Sequence, residues 1–179
     1  MKKYLIYFLF FCAFELYAQV SNFNAGIYAG IGEIKGNTSS IASVGGSLFF
    51  DFNLWFSNDV FFRTGFSYFR KIEYFIPEER MGRYYPFIKL FSLKGMIQQN
   101  FYQYFFMEEG FGIIYLNDKT LSDTNVWQPG ISFSLTAGID LWQINKSNFQ
   151  LGLGLDYGMG FTKTNANYYI IYLQGRIKL

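Results

Sequence analysis

The chain has 179 residues, 51% of them hydrophobic and 23% aromatic, which fits one domain and is rich for a soluble protein. Its 15 basic and 13 acidic residues give a net charge of +2, so neither a nucleic-acid footprint nor a basic membrane-surface patch is present. With no histidine and one cysteine, metal sites of the histidine or cysteine kind are excluded.

From the N-terminus, Lys2 and Lys3 precede an apolar run from Tyr4 to Phe14, and Leu16-Tyr17-Ala18 puts a small residue at a cleavage position. This predicts a secretory signal peptide over residues 1–18 and a mature chain, 19–179, that starts at Gln19. The run is too short for a membrane helix. Cys12 lies inside it, behind Phe11, which is too large for a lipoprotein signal, so the mature chain can form no disulfide. No later stretch reads as a spanning helix.

What recurs instead is alternation of apolar and small or polar residues over about ten positions, the signature of a membrane-spanning strand. Eight strands are predicted, near residues 24–34, 44–56, 60–72, 86–97, 101–116, 127–142, 149–161 and 168–179. The connections after the second, fourth and sixth are short: Ser57-Asn58-Asp59, Gln98-Gln99-Asn100 and Gln143 to Asn148. The others are mostly longer and more polar, with Glu73 to Tyr85 the longest. Tight turns alternating with longer loops is the outer-membrane barrel pattern, and an even strand count leaves both termini in the periplasm. The predicted fold class is all-β: an eight-stranded antiparallel transmembrane up-and-down β-barrel.

The seventh strand, FQLGLGLDYGMGF, shows which face points where. One parity is Phe149, Leu151, Leu153, Leu155, Tyr157, Met159 and Phe161; the other is Gln150, Gly152, Gly154, Asp156, Gly158 and Gly160. A soluble barrel or sandwich would alternate in the same way with its apolar face inside. An eight-stranded barrel, however, has an interior only wide enough for side chains, and large apolar residues at every inward position would overfill it. Lipid accepts a continuous apolar belt, so the small and polar face is expected inside. Aromatics near strand ends (Trp55, Phe56, Tyr102, Tyr104, Trp142 and Phe149 at the short turns; Tyr74, Tyr84, Tyr85, Tyr115, Trp127, Tyr168 and Tyr169 at the long loops) fit two interfacial girdles.

The leader ending Ala18-Gln19, the Phe- and Tyr-rich strands, and FIKLFSLKGMIQQNFYQYFFMEEGFGIIYL resemble the small outer-membrane β-barrel proteins common in Bacteroidetes, the PorT-like and OmpX/OmpA-barrel group. The resemblance covers essentially the whole mature chain and implies fold and location, not an activity. It departs at the C-terminus, where such chains often end on an aromatic residue read by the outer-membrane assembly machinery and this one ends on Leu179.

Inward parity collects Asp51, Arg63, Lys94, Glu108, Asp140, Asp156, Arg176 and Lys178, four acids and four bases. Buried charges must be paired, so these are expected to plug the lumen; a proton or ion path is the alternative. Trp55, Trp142, Tyr28 and Tyr172 share that parity. Glu109 faces lipid if Glu108 faces in; a bulge, an interfacial depth or a protein partner would each resolve it. Glu78, Arg80 and Arg83 lie in the loop EYFIPEERMGRYY, which reads as a solvated loop under lipopolysaccharide or as a partner contact. The membrane enzymes among small barrels rely on histidine, and a nucleophilic serine needs such a base. Without one, Ser132 and Ser134 beside Asp140 read as polar filler. No cofactor is expected. Calcium at Asp118 and Asp123 is an unspecific possibility.

These observations point to an outer-membrane barrel with a filled, closed lumen and a structural or interaction role. Its expected partners are outer-membrane lipid and lipopolysaccharide, the assembly machinery and a larger envelope protein complex, with no nucleic acid. A narrow channel for ions or very small solutes is the first alternative; a histidine-independent enzyme and a secreted lipocalin-like carrier are others.

Overall fold

The structure, a computed structural model, describes residues 20–36, 39–54, 57, 59–76, 84–102, 104–141, 148–161 and 164–179. The predicted leader, Trp55, Trp142, Glu78, Arg80 and Arg83 lie outside the described residues. Eight strands run in chain order: β1 Val20–Lys35, β2 Ile41–Leu54, β3 Val60–Lys71, β4 Phe87–Phe101, β5 Phe105–Lys119, β6 Val126–Asp140, β7 Phe149–Gly160 and β8 Asn167–Lys178. Each pairs antiparallel with the next, and β1 pairs with β8, so the sheet closes on itself. Closure leaves no unpaired edge, and every spanning backbone group can be satisfied by a neighbour.

The pleat puts alternate residues on opposite faces, and β7 keeps that rule along its length: Leu151, Leu153, Leu155, Tyr157 and Met159 are exposed while Gly152, Gly154, Asp156, Gly158 and Gly160 are buried. The same outward belt continues through Ile27, Ile31, Leu48, Phe66, Leu93, Phe111, Phe133 and Leu173, all exposed.

One turn falls elsewhere than its polarity suggests. Gln98, Gln99 and Asn100 are not a turn but the end of β4, paired with Glu108, Met107 and Phe106. The reversal comes after Phe101↔Phe105, through Tyr102, whose φ of 57° is left-handed. Gln98 is polar because it accepts a hydrogen bond from Arg176 in the lumen, not because it turns the chain.

A second correction concerns the lumen. Its short-turn half carries the charges, packed among Phe61, Met96 and Phe106, but its long-loop half is an apolar core of Ile34, Phe69, Ile88, Leu90, Leu116, Tyr168 and Ile170, all fully buried. Overfilling is avoided by sharing volume around the ring. A Cβ added at Gly26 would lie 2.2 Å from the Phe49 ring, and one at Gly158 would lie 2.4 Å from Tyr168. Glycine-rich β1 and β7 therefore make room for bulky side chains from other strands. Tyr168 and Tyr85, assigned by sequence to the outer girdle, are buried, whereas Tyr84, Tyr115, Trp127 and Tyr169 are exposed.

Candidate functional site

The polar half of the lumen holds two neutral charge clusters. In the first, Arg63 on β3 donates from Nε and Nη2 to the two carboxylate oxygens of Asp51 on β2, at 2.7 and 2.9 Å. The same Nη2 donates to Glu108 Oε2 on β5 at 3.1 Å, and Nη1 to Gln174 Oε1 at 3.1 Å. Arg176 on β8 closes the group: Nη1 donates to Asp51 Oδ2 at 3.0 Å and makes an ion-pair contact with Glu108 Oε1 at 2.6 Å that lacks hydrogen-bond alignment. Two carboxylates thus face two guanidiniums, and the fork geometry of arginine suits such shared bidentate pairing. Gln150 and Gln98 take the remaining donors of Arg176. The Arg63 guanidinium lies 4.1 Å over the Phe49 ring.

The second cluster sits above the first, toward the apolar core. Lys94 Nζ donates to Asp156 Oδ1 at 2.8 Å, while the hydroxyls of Tyr28 and Tyr168 donate to Asp156 Oδ2 at 3.1 and 3.4 Å. Glycines at 154 and 158, on either side of Asp156, let the Tyr172 and Tyr168 rings close over it. Tyr28 stacks on Tyr172 at 4.3 Å, and Tyr172 shares a 2.6 Å hydrogen bond with Thr136.

Six of the eight charges singled out by parity are therefore buried in these clusters. Asp140 is also buried, at the short-turn end, accepting at 2.9 Å from Gln150, which links it to Arg176 of the first cluster. Lys178 departs from the expectation. It has inward parity but is exposed, because it ends β8 where the barrel wall stops. Sequence reading missed Tyr168, Gln174, Gln150 and Gln98, although all four share the inward parity of their strands.

Ser132 and Ser134 are buried on β6, and neither reaches Asp140: Ser134 contacts Met96 Sδ, and Ser132 Oγ has no hydrogen-bond partner among the described residues. Asp118 is buried and Asp123 exposed, and each has its own partner. Asp118 accepts from the backbone and hydroxyl of Thr120, and Asp123 accepts from Ser122. Among the described residues no group of three or more acidic or cysteine side chains could hold a metal ion.

Glu109 is exposed on the outer wall of β5. The register runs unbroken from Phe87↔Lys119 to Phe101↔Phe105, so no bulge turns it inward. Its cross-strand neighbours are Ile97 and Leu135. Four positions along β5 separate it from Phe105, roughly 13 Å along the strand at ~3.3 Å per residue and about 10 Å along the axis at a tilt of ~40°, and exposed Phe105 and Phe101 continue the apolar wall on its short-turn side. One pleat toward the short turns, across from Met107, Ala137 begins an apolar groove of about 780 Å³ over β6, β7, β8 and β1, walled by Ile139, Leu151, Leu153, Leu173 and Ile27.

No protein-family model and no curated protein matches the chain. Solved structures do. Neisserial surface protein A matches with a TM-score of 0.58 at 12% identity, over 88% of this chain and 97% of that one. Ail, the attachment invasion locus protein of Yersinia pestis, matches at 0.56 and 11% identity, over 88% and 98%. The outer membrane enzyme PagL matches at 0.51 and 12% identity, over 86% and 99%. At such identities the likeness carries the fold alone: the chain is a closed, eight-stranded antiparallel β-barrel of the kind these outer-membrane proteins share.

Proposed function

We propose that this chain is an integral outer-membrane barrel, with both termini periplasmic and a filled, closed lumen, whose role is to dock a larger envelope protein complex. The outward belt and the fold shared with outer-membrane barrels support the location. Neutral charge clusters with their acids and bases paired, beneath an apolar core, support a plug over a conduit. Lipid and lipopolysaccharide surround it in this reading, and the assembly machinery inserts it.

The observation that carries the docking role is Glu109. A carboxylate facing lipid within the belt is unfavourable, and one pleat away from it Ala137 opens a groove, lined also by the small residues Ala29 and Gly175, that lets another chain approach the wall closely. The fitting partner is a membrane-embedded protein segment with an apolar face and a donor or cation for Glu109. Purification from native membranes in mild detergent tests this: a co-eluting protein present with the parent chain and with Asp123→Asn, but lost with Glu109→Leu, is the expected result. Folding of Glu109→Leu must be at least as stable as the parent's. An unchanged set of co-eluting proteins for Glu109→Leu would remove the docking role.

A further inference from the structure

On the outer wall at the long-loop end, three cations gather on adjacent strands. Arg70, Phe87 and Lys119 form one cross-strand row over β3, β4 and β5, and Tyr68, Lys89 and Asn117 form the next row toward the barrel's middle. Arg70 and Lys119 are two strands apart, roughly 10 Å at the usual strand spacing, with Lys89 between and below them. Each cation lies over a ring. The Arg70 guanidinium is 3.3 Å from the Tyr74 centroid, Lys119 Nζ is 5.9 Å from Phe87, and Lys89 Nζ is 5.4 Å from Trp127. The charged groups themselves rest against the rings, and all three residues are half-exposed.

No carboxylate among the described residues pairs with any of the three. Glu73 is taken by Lys71 at 2.6 Å, and Asp118 is buried against Thr120. Arg70 Nε is buried without a hydrogen-bond partner. Immediately toward the middle of the belt lies a slab of rings: Phe66 and Phe91 at 5.2 Å, Phe91 and Trp127 at 6.2 Å, Tyr115 and Trp127 stacked at 5.0 Å. Three cations with no carboxylate partner among the described residues, directly above an apolar wall, match a molecule with an anionic head and hydrocarbon tails.

We propose that Arg70, Lys89 and Lys119 form a binding site for the phosphate-bearing headgroup of an outer-leaflet lipid, its acyl chains lying along Phe66, Phe91 and Tyr115. The proposal rests on the outer-membrane reading above and adds the site and the ligand chemistry to it. Arginine and lysine paired with phosphate make charge-assisted hydrogen bonds, and the half-buried setting weakens screening by salt.

The test uses the mature chain folded into phosphatidylcholine vesicles with and without bisphosphorylated lipid A. Lipid A should slow unfolding by on the order of tenfold or more, given three basic residues at an anionic headgroup. The triple variant Arg70→Gln, Lys89→Gln, Lys119→Gln should lose that gain while unfolding at the parent rate in phosphatidylcholine alone. Should the triple variant fail to fold, Lys89→Gln should lose part of the gain and Lys89→Arg should keep it. An equal gain from inorganic phosphate with phosphatidylcholine, or from phosphatidylglycerol vesicles, would overturn the phosphorylated-lipid site in favour of free phosphate or general anionic attraction. Folding in phosphatidylcholine with no gain from lipid A overturns the site alone; failure to fold in any vesicle overturns the membrane reading itself.

Discussion

Lys94 Nζ and Asp156 Oδ1 meet at 2.8 Å from β4 and β7, strands three places apart around the ring. Both side chains are almost fully buried. Removing one partner strands the other, at a cost of about 3–5 kcal/mol at full burial. Asp156→Ala is therefore expected to destabilise the barrel strongly, and Lys94→Met to restore part of the loss, read by urea unfolding in lipid vesicles. Arg176→Gln or Arg63→Gln should not rescue it, since both arginines serve Asp51 and Glu108. Rescue by either would mean that Asp156 pairs differently.

Arg63 binds Asp51 bidentately while also reaching Glu108 and Gln174. A lysine keeps the charge but not the fork. Arg63→Lys should lose about 1.5–3 kcal/mol for each charge-assisted hydrogen bond it fails to replace, measured in the same unfolding assay. Parent-like stability would show that net charge alone holds the cluster.

In planar bilayers the parent chain should give no steady single-channel current, because an eight-stranded barrel's interior has room for side chains and little else and here Phe49, Leu90 and Tyr168 occupy it. Stable ion-selective currents abolished by Asp156→Asn at unchanged stability would promote the narrow channel over the plug.

Gly158 tests the shared packing. A Cβ there would stand 2.4 Å from the Tyr168 ring, so Gly158→Val should cost about 1–3 kcal/mol by overpacking. Tyr168→Ala also destabilises, but the two changes together should cost less than their sum, because the new side chain fills the vacated space. A double-mutant cycle reads the coupling directly; simple additivity would deny the contact.

Leu155 is exposed at the middle of β7. Leu155→Arg should cost ~2–4 kcal/mol if lipid covers it at the bilayer midplane, whereas Ser122→Arg, in an exposed loop, should be nearly neutral. Equal tolerance at both positions in vesicles would deny a lipid-facing wall.

Strand number, order and facing were legible from sequence because the pleat has a period of two and the chain keeps it. The alternation in FQLGLGLDYGMGF states which side chains share a face wherever the strand sits, and consecutive hairpins need only local pairing. Even the unexpected position of the fourth turn follows a single misread cue, polarity at a strand end. Among the described residues, ion pairing within the lumen follows local register only at Asp51↔Arg63, which face each other across the β2–β3 hairpin. Register sets Arg63 directly beside Lys94, two like charges. Only closure of β1 on β8 brings Arg176 to Asp51, 125 residues away, and only the cross-lumen reach of Lys94 brings it to Asp156, 62 residues away. Likewise, alternation marks an inward residue without saying how much room it finds. The apolar upper lumen exists because glycines on β1 and β7 vacate space that Phe49, Tyr168 and Tyr172 fill from other strands, a volume balance set by the closed ring as a whole.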